Sequence, residues 1–144
     1  MSQINMMSKI SIIGCGYTGS SIAIHYANSG YQIDIIDNNY NNFIKLPENL
    51  VSEGYLNPII ADACKISDLK KVIDPESKTS IILSGKDSIN ALIAQIFKNE
   101  FNMTKIICRI NEKTTSELYS SFGFITISQA QLFKHQVLDL FERN

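Results

Sequence analysis

The sequence lacks the features that mark nucleic-acid-binding and membrane-spanning proteins. Its 13 lysine and arginine residues face 14 aspartate and glutamate residues, and no basic run is longer than Lys70-Lys71. A nucleic-acid surface needs concentrated positive charge to displace counterions, so we expect no nucleic-acid partner. No apolar run approaches the roughly 18 residues of a membrane-spanning helix. These absences predict a cytoplasmic globular protein.

Export signals and internal divisions are also missing. Residues 1–7 have neither the basic flank nor the apolar core of a signal peptide, and we expect them to form a flexible leader. No linker, low-complexity tract or internal repeat divides the rest, which predicts a single domain over residues 8–144. The two histidines, His25 and His135, lack the carboxylate and nucleophile arrangement of a catalytic triad. We expect both to lie on the surface.

One stretch, residues 8–37, carries the strongest functional signal. An apolar strand over residues 9–13 precedes a glycine fingerprint, a helix runs to Gly30, and a second strand ends at Asp37. The fingerprint is Gly14-Cys15-Gly16-Tyr17-Thr18-Gly19. Glycines at this spacing allow a tight turn, a close approach of the backbone to a phosphate, and packing of the helix on the strand. The helix N-terminus then offers free N–H groups to the anion.

Asp37 adds a second part of the same pattern. It follows Gly14 by 23 residues, close to the offset of about 20 residues at which a carboxylate binds the ribose hydroxyls. Together the two parts predict binding of a dinucleotide or an adenine nucleotide. The alternative is a glycine turn in an α/β protein that binds nothing, with Asp37 capping a turn.

Short apolar strands alternate with helices in the rest of the chain. Further strands are predicted over residues 58–63, 80–83, 105–108 and 124–127, and helices over 65–73, 88–97, 112–122 and from 128 towards 142. Residues 38–46 are predicted as a loop or short helix that Pro47 ends, and residues 48–57 as a polar connection. The alternation predicts an α/β fold: a Rossmann-like, doubly wound parallel sheet of six strands with helices on both faces.

The three cysteines are few and far apart. Cys15, Cys64 and Cys108 fall near the ends of alternate strands in the order 3-2-1-4-5-6, so neighbouring sulfurs would lie roughly 10 Å apart at ~4.8 Å per strand. That separation disfavours a shared metal ion, and cytoplasmic thiols rarely pair. We expect buried or pocket-lining thiols, with a metal site as the alternative.

The motifs at the strand ends resemble a known family. Beside the glycine fingerprint they are Ile36-Asp37, Asp62-Ala63, Ser84-Gly85, Asp87-Ser88-Ile89-Asn90 and Arg109-Ile110-Asn111. In this combination the chain resembles the Trk-type nucleotide-binding domain, the regulator-of-potassium-conductance fold of cytoplasmic subunits of bacterial Trk and Ktr potassium uptake. The resemblance covers nearly the whole chain. Two departures are Tyr17, where many relatives have an arginine, and the absence of the family's second, C-terminal ligand domain.

The resemblance implies a ligand and partners. The ligand would be NAD(H) in the first place, with ATP, ADP or AMP as alternatives. The partners would be a second copy of the chain, or a higher ring assembly, and a potassium-transporting membrane protein at whose cytoplasmic face the chain is peripheral. Asp37, beside Asn38, would hold the adenosine ribose, and Asp62-Ala63 would border the adenine. Ser84-Gly85 would close over the ribose, and Arg109 would reach the phosphates.

The resemblance therefore implies a nucleotide-sensing regulator of potassium transport that is not an enzyme. Two alternatives stay open: a small NAD-dependent oxidoreductase, and a soluble regulator of the glutathione-gated potassium efflux type. Single residues also have alternatives. Asp62 could be a helix N-cap, Arg109 could pair with Glu112, and Lys86 could be solvated or contact a phosphate. Asp34 is expected to be a solvated edge residue.

The last predicted helix has a broad apolar face. At about 100° per residue, one arc holds Ala130, Phe133, Val137, Leu138, Leu140 and Phe141. A face this wide must be covered. We expect it to form part of a homodimer interface, and the alternative is packing on the chain's own sheet.

Overall fold

The computed structural model describes residues 8–143, so the predicted leader over residues 1–7 lies outside the described residues. The strands are β1 (Lys9–Ile13), β2 (Gln32–Asp37), β3 (Leu56–Ile60), β4 (Thr79–Ile82), β5 (Lys105–Arg109) and β6 (Ile125–Ile127). They form one parallel sheet in the order β3-β2-β1-β4-β5-β6. This order confirms the predicted Rossmann-like, doubly wound fold.

Helices connect the strands and cover both faces of the sheet. They are α1 (Tyr17–Asn28), α2 (Glu48–Ser52), α3 (Ile66–Val72), α4 (Asp87–Phe101), α5 (Lys113–Ser121) and α6 (Gln129–Glu142), with a 3₁₀ turn at Tyr40–Phe43. Successive strand residues enter opposite cores: Ile12 packs with α1 and α2 residues, whereas Ile13 packs with α3 and α4 residues. Both faces are therefore buried, which is why the strands have continuous apolar runs rather than alternation.

Two segments differ from the sequence-based prediction. Residues 48–57 were expected to be a polar connection, but Glu48–Ser52 forms α2 directly after Pro47. A single buried side chain, Leu50, anchors this helix, and its neighbour Val51 is the one other apolar residue in it, so there is no hydrophobic periodicity to detect. Strand β3 begins at Leu56 and ends at Ile60, earlier than predicted, because Asp62 and Ala63 belong to the loop that follows.

The prediction that Asp34 is a solvated edge residue is wrong. β2 lies between β1 and β3, so Asp34 is buried, at 2% exposure. Its Oδ1 accepts a hydrogen bond from Asn57 Nδ2 at 3.0 Å, and Lys9 Nζ lies 3.5 Å from its Oδ2. Lys9 also contacts the Asp74 carboxylate at 3.0 Å. A charged cluster thus closes the amino-terminal edge of the sheet, opposite the carboxyl ends of the strands.

Strand β3 forms one open edge of the sheet. The Ala61 N–H and the Tyr55 carbonyl bond the backbone of β2. Because neighbouring residues of a strand alternate in direction, Leu56, Pro58 and Ile60 direct their backbone groups away from the sheet. Pro58 therefore costs the sheet no hydrogen bond.

Helix α6 is not covered by the rest of the described chain. None of its residues is buried, and Phe133 and Phe141 are 69% and 80% exposed. The alternative that its apolar face packs on the chain's own sheet is therefore wrong. No helix within residues 8–143 is long and apolar enough to cross a membrane.

Candidate functional site

A cavity of about 710 Å³ lies at the carboxyl ends of the strands. The sequence-predicted residues that line it are Gly14, Gly16, Tyr17, Thr18, Gly19, Asp37, Asn38, Asp62, Ala63, Ser84, Gly85 and Arg109. The fold thus brings together residues that are up to 95 positions apart in the chain, from Gly14 to Arg109. It does so where the strand order reverses, which is where doubly wound folds bind ligands.

The glycine loop between β1 and α1 has its glycines for different reasons. Gly14 has φ +100°, and a Cβ there would lie 2.9 Å from the Leu83 carbonyl oxygen. A Cβ on Gly19 would overlap the Gly14 carbonyl oxygen. At Gly16 no protein atom would lie within 4 Å of a Cβ. The protein's own packing therefore requires Gly14 and Gly19, whereas Gly16 leaves space that belongs to the cavity.

The N-terminus of α1 faces this open space. Gly16 is its N-cap residue, no side chain caps the helix, and the first turn holds no acidic residue. The first N–H groups of a helix have no partner within the helix and carry partial positive charge. The loop can therefore bind an anion through its backbone, although Tyr17 supplies no cationic side chain there.

The Asp37 carboxylate is already an acceptor of several hydrogen bonds. Its Oδ2 accepts from the Cys15 backbone N–H at 2.9 Å and from Asn42 Nδ2 at 3.1 Å. Its Oδ1 accepts from the Asn39 backbone N–H at 2.8 Å, which forms the turn considered above as an alternative. The carboxylate thus fixes the glycine loop and still lines the cavity. The turn and a ligand contact are compatible at this residue.

Cys15, predicted to contact the cofactor, does not line the cavity. It is fully buried, its N–H bonds Asp37, and its Sγ donates to the Asn42 carbonyl at 3.2 Å. Burial raises the pKa of the Cys15 thiol, although Lys45 opposes the shift. Cys15 therefore holds the glycine loop through these two hydrogen bonds and is not exposed to the cavity.

Asp62 and Cys64 line the side of the cavity near β3. Asp62 Oδ1 accepts from the Cys64 N–H at 2.9 Å, which closes a turn. Lys65, not Asp62, is the N-cap residue of α3, so the N-cap alternative is wrong. Burial and the Asp62 carboxylate raise the pKa of the Cys64 thiol. Among the three cysteines, Cys64 is the one that lines the cavity, and its raised pKa disfavours the reactive thiolate.

Arg109 crosses the opposite side of the cavity. Its guanidinium donates to the carbonyl oxygens of Leu83 (3.3 Å) and Ser84, and to Gln129 Oε1 at 2.7 Å. It does not pair with Glu112, which caps α5 through the Thr114 and Thr115 N–H groups. The guanidinium thus holds the loop that follows β4. Arg109 also lines the cavity, so its positive charge lies at the cavity wall.

Three polar residues near the site were not predicted to contribute to it. Asn42 lines the cavity beside Asp37, and the run of asparagines after Asp37 was the only signal. Asn90 bonds Ser84 and the Arg109 carbonyl from behind the cavity wall. Asp87 accepts from the N–H groups that follow Arg109. Both belong to the Asp87-Ser88-Ile89-Asn90 motif, to which no role was assigned. Residues 8–143 hold no group of three or more His, Cys, Asp or Glu that could bind a metal ion.

Comparison with protein families and known proteins adds to this geometry. The model of the TrkA-N domain matches residues 10–129. The Trk system potassium uptake protein TrkA of Mycobacterium tuberculosis is 23% identical over 112 residues, 78% of this chain and 49% of that protein. The protein of the same name from Streptomyces coelicolor is 22% identical over 129 residues, 90% of this chain and 56% of that protein. The chain spans about half the length of the curated relatives it matches.

Solved structures share the fold. The TrkA-N domain of the inner membrane protein ybaL from Escherichia coli superposes with a TM-score of 0.77 at 13% identity, covering 95% of this chain and 98% of that one. The AMP-bound Kef CTD of Shewanella denitrificans gives 0.70 at 15% identity, covering 93% and 82%. The GsuK channel bound to NAD gives 0.66 at 15% identity, covering 88% and 22%. GsuK bound to ADP gives 0.67 at 16% identity, covering 86% and 32%.

Proposed function

The chain belongs to the TrkA-N domain family, and from this premise we propose that it is a non-enzymatic, nucleotide-sensing regulatory domain of a potassium transport system. The observation that carries the proposal is the glycine loop. Gly16 leaves open space beside an uncapped helix N-terminus, and the Asp37 carboxylate stands at the wall of the same cavity. An anion site and a ribose acceptor in one cavity fit a nucleotide.

The proposed ligand is NAD(H), with ATP, ADP and AMP as alternatives. The α1 N-terminus would hold the phosphates, and Asp37 the adenosine ribose. A 2′-phosphate would meet the Asp37 charge, so NAD(H) should bind better than NADP(H). Asp62-Ala63 would border the adenine, Ser84-Gly85 would close over the ribose, and Arg109 would reach the phosphates. The structurally similar Kef and GsuK proteins, solved with AMP, NAD or ADP bound, support the ligand class.

A regulatory role fits the side chains better than an oxidoreductase does. The ionisable groups of the cavity wall are Asp37, Asp62, Arg109, Tyr17 and Cys64. Both carboxylates accept backbone N–H groups, the arginine binds carbonyls, and the thiol has a raised pKa. These contacts leave Tyr17, which is 89% exposed, as the remaining proton-donating side chain of the cavity wall in the described residues. The curated relatives are named for potassium uptake, which supports a potassium-transporting membrane protein as partner.

The ligand can be tested directly on the purified protein. Denaturation should release an adenine nucleotide, which mass spectrometry identifies. Calorimetry should show that NAD and NADH bind more tightly than NADPH. If no nucleotide is released and none binds, the glycine loop is a structural turn only. Binding that requires glutathione would favour the efflux-type alternative.

Sensing requires more than binding. A ligand changes a partner only if it binds two shapes of the protein with different affinity, and a tenfold difference corresponds to about 1.4 kcal/mol. Two nucleotides, such as NAD and NADH or ATP and ADP, should therefore give different small-angle scattering profiles, and neither should be consumed over hours. Identical profiles would leave a stabilising role only, and steady conversion would show an enzyme.

A further inference from the structure

We propose that Asn90 is a positioning residue of the nucleotide site, which holds Ser84 and Arg109 in place without touching the ligand. The proposal rests on the function proposed above. Asn90 lies in the first turn of α4, is fully buried, and is not part of the cavity wall. Any effect of this residue on a ligand must therefore act through its neighbours.

The Asn90 amide uses its whole hydrogen-bonding capacity on two loops. Its Oδ1 accepts from the Ser84 N–H at 2.9 Å and from the Ser84 hydroxyl. Its Nδ2 donates to the Ser84 carbonyl at 3.2 Å and to the Arg109 carbonyl at 2.8 Å. Two donors and two acceptor positions are all that an amide has. Beyond Ile82 and Cys108 the backbones of the two strands no longer pair. The Asn90 side chain connects the two loops there instead.

Arg109 completes the connection from the other side. Its guanidinium donates to the Ser84 carbonyl, the same oxygen that accepts from Asn90 Nδ2. The Arg109 carbonyl also accepts from Asn90, so three residues form a closed set of hydrogen bonds. Loss of the Asn90 amide would leave the Arg109 carbonyl without this donor and release the Ser84 peptide. Both the carbonyl direction of Ser84 and the position of the guanidinium would then vary.

Asp87 secures the same helix turn but reaches different atoms. Its two carboxylate oxygens accept from the N–H groups of Asn111 (3.0 Å) and Glu112 (2.8 Å). These residues lie beyond Arg109 and outside the cavity wall. Asp87 therefore anchors the start of α5, whereas Asn90 acts on residues that a ligand would contact.

The consequence is a dependence on how far a ligand extends. A dinucleotide in a doubly wound fold lies across the point where the strand order reverses. NAD, with two phosphates and a second ribose, should then depend on Ser84 and Arg109 over a longer stretch than AMP, which has one ribose and one phosphate. Asn90 should therefore matter more for NAD than for AMP.

The test compares NAD and AMP affinities by calorimetry in two variants. Asn90→Ser removes both bridges, and Asn90→Asp keeps the acceptor for the Ser84 N–H but loses both donors. Each should weaken NAD binding at least tenfold and AMP binding less than threefold. The control is Phe97→Leu, which destabilises the buried face of the same helix far from the loops. It should lower the melting temperature and leave both affinities unchanged.

A second measurement separates positioning from general loosening. In an Arg109→Lys background, where the guanidinium bonds are already lost, Asn90→Ser should cost NAD binding less than it does in the wild type, because only the hold on Ser84 and on the backbone carbonyl of residue 109 remains to be lost. Equal losses for NAD and AMP, an additive effect in the Arg109→Lys background, or an unchanged NAD affinity would each overturn the positioning role. A wild-type protein that binds neither ligand would instead refute the proposed function, and the positioning role with it.

Discussion

The side-chain amide of Asn42 donates to Oδ2 of Asp37 at 3.1 Å, at the wall of the cavity. With the N–H groups of Cys15 and Asn39, three of the roughly four lone-pair positions of this carboxylate are occupied. In the proposed ribose site, one hydroxyl would take the free position. A second would have to displace the Asn42 amide, which is the side-chain donor among these three.

Removal of the Asp37 carboxylate should weaken nucleotide binding. Asp37→Ala is expected to cost about 1.5–3 kcal/mol of NAD binding free energy, the range for hydrogen bonds to a charged group. Calorimetry measures the loss. Glu100→Ala serves as the control, because Glu100 is an exposed carboxylate of α4 outside the cavity wall and should change affinity little. An unchanged affinity in Asp37→Ala, or a preference of the wild type for NADP(H), would contradict the assignment of the ribose site.

Charge on the apolar face of α6 should prevent self-association. The double variant Phe133→Glu/Phe141→Glu places two carboxylates at positions whose native side chains are 69% and 80% exposed. Light scattering should show a dimer for the intact chain and a monomer for the double variant, because burial of a carboxylate in an apolar interface is costly.

His135→Glu is the control for that experiment. His135 lies on the opposite side of the same helix, so its substitution changes the charge without altering the apolar arc. The dimer should persist in this variant. A monomer for the intact chain would leave the interface without support.

Lys9 should contribute more to stability through Asp34 than through Asp74. The Asp34 side chain is 3% exposed and the Asp74 side chain 37%. Lys9→Met leaves a buried carboxylate without its cation, and we expect a loss of about 2–4 kcal/mol in the free energy of unfolding. Asp74→Asn removes only the exposed partner and should cost less than about 1 kcal/mol. Urea unfolding compares the two, and equal losses would refute the asymmetry.

Glu112 should make stability fall in acid. Hydrogen bonds from the Thr115 hydroxyl and N–H, and from the Thr114 N–H, lower the pKa of Glu112 from 4.5 to about 2. Because the pKa is lower in the folded state, the stabilisation is fully present above pH 4.5 and is lost as the pH falls towards 2. Melting temperatures of the wild type and Glu112→Gln should therefore differ at neutral pH and converge in acid. Glu117→Gln, on the exposed side of the same helix, should show no such convergence.

The fold was predictable because its signals are local. Apolar runs separated by helical periodicity give the strands, the glycine fingerprint identifies the doubly wound class, and the common strand order of that class is the one observed. The glycine fingerprint places the cavity because Gly14 and Gly19 are required by backbone contacts that any such turn has. The short helix α2 was not predicted because its single buried residue, Leu50, gives no hydrophobic periodicity.

The second layer of the site was not predictable for a different reason. Periodicity tells that Asn90 lies on an inner face of α4, but not that its amide reaches both Ser84 and Arg109. Those contacts depend on the reach of one side chain that joins loops 25 residues apart in the chain. The burial of Asp34 likewise depends on Lys9, which the sheet brings near from 25 positions away.

Pro58 also bears on aggregation. Its ring occupies the middle of the open β3 edge, where an incoming strand would need an N–H donor. Within β3, only the N–H groups of Leu56 and Ile60 point to that edge. The N–H group that Pro58 lacks between them would interrupt the hydrogen-bond ladder of an intermolecular sheet. Edge-to-edge growth of the kind that leads to cross-β fibrils is therefore disfavoured at β3, even though Ile60 is 59% exposed there.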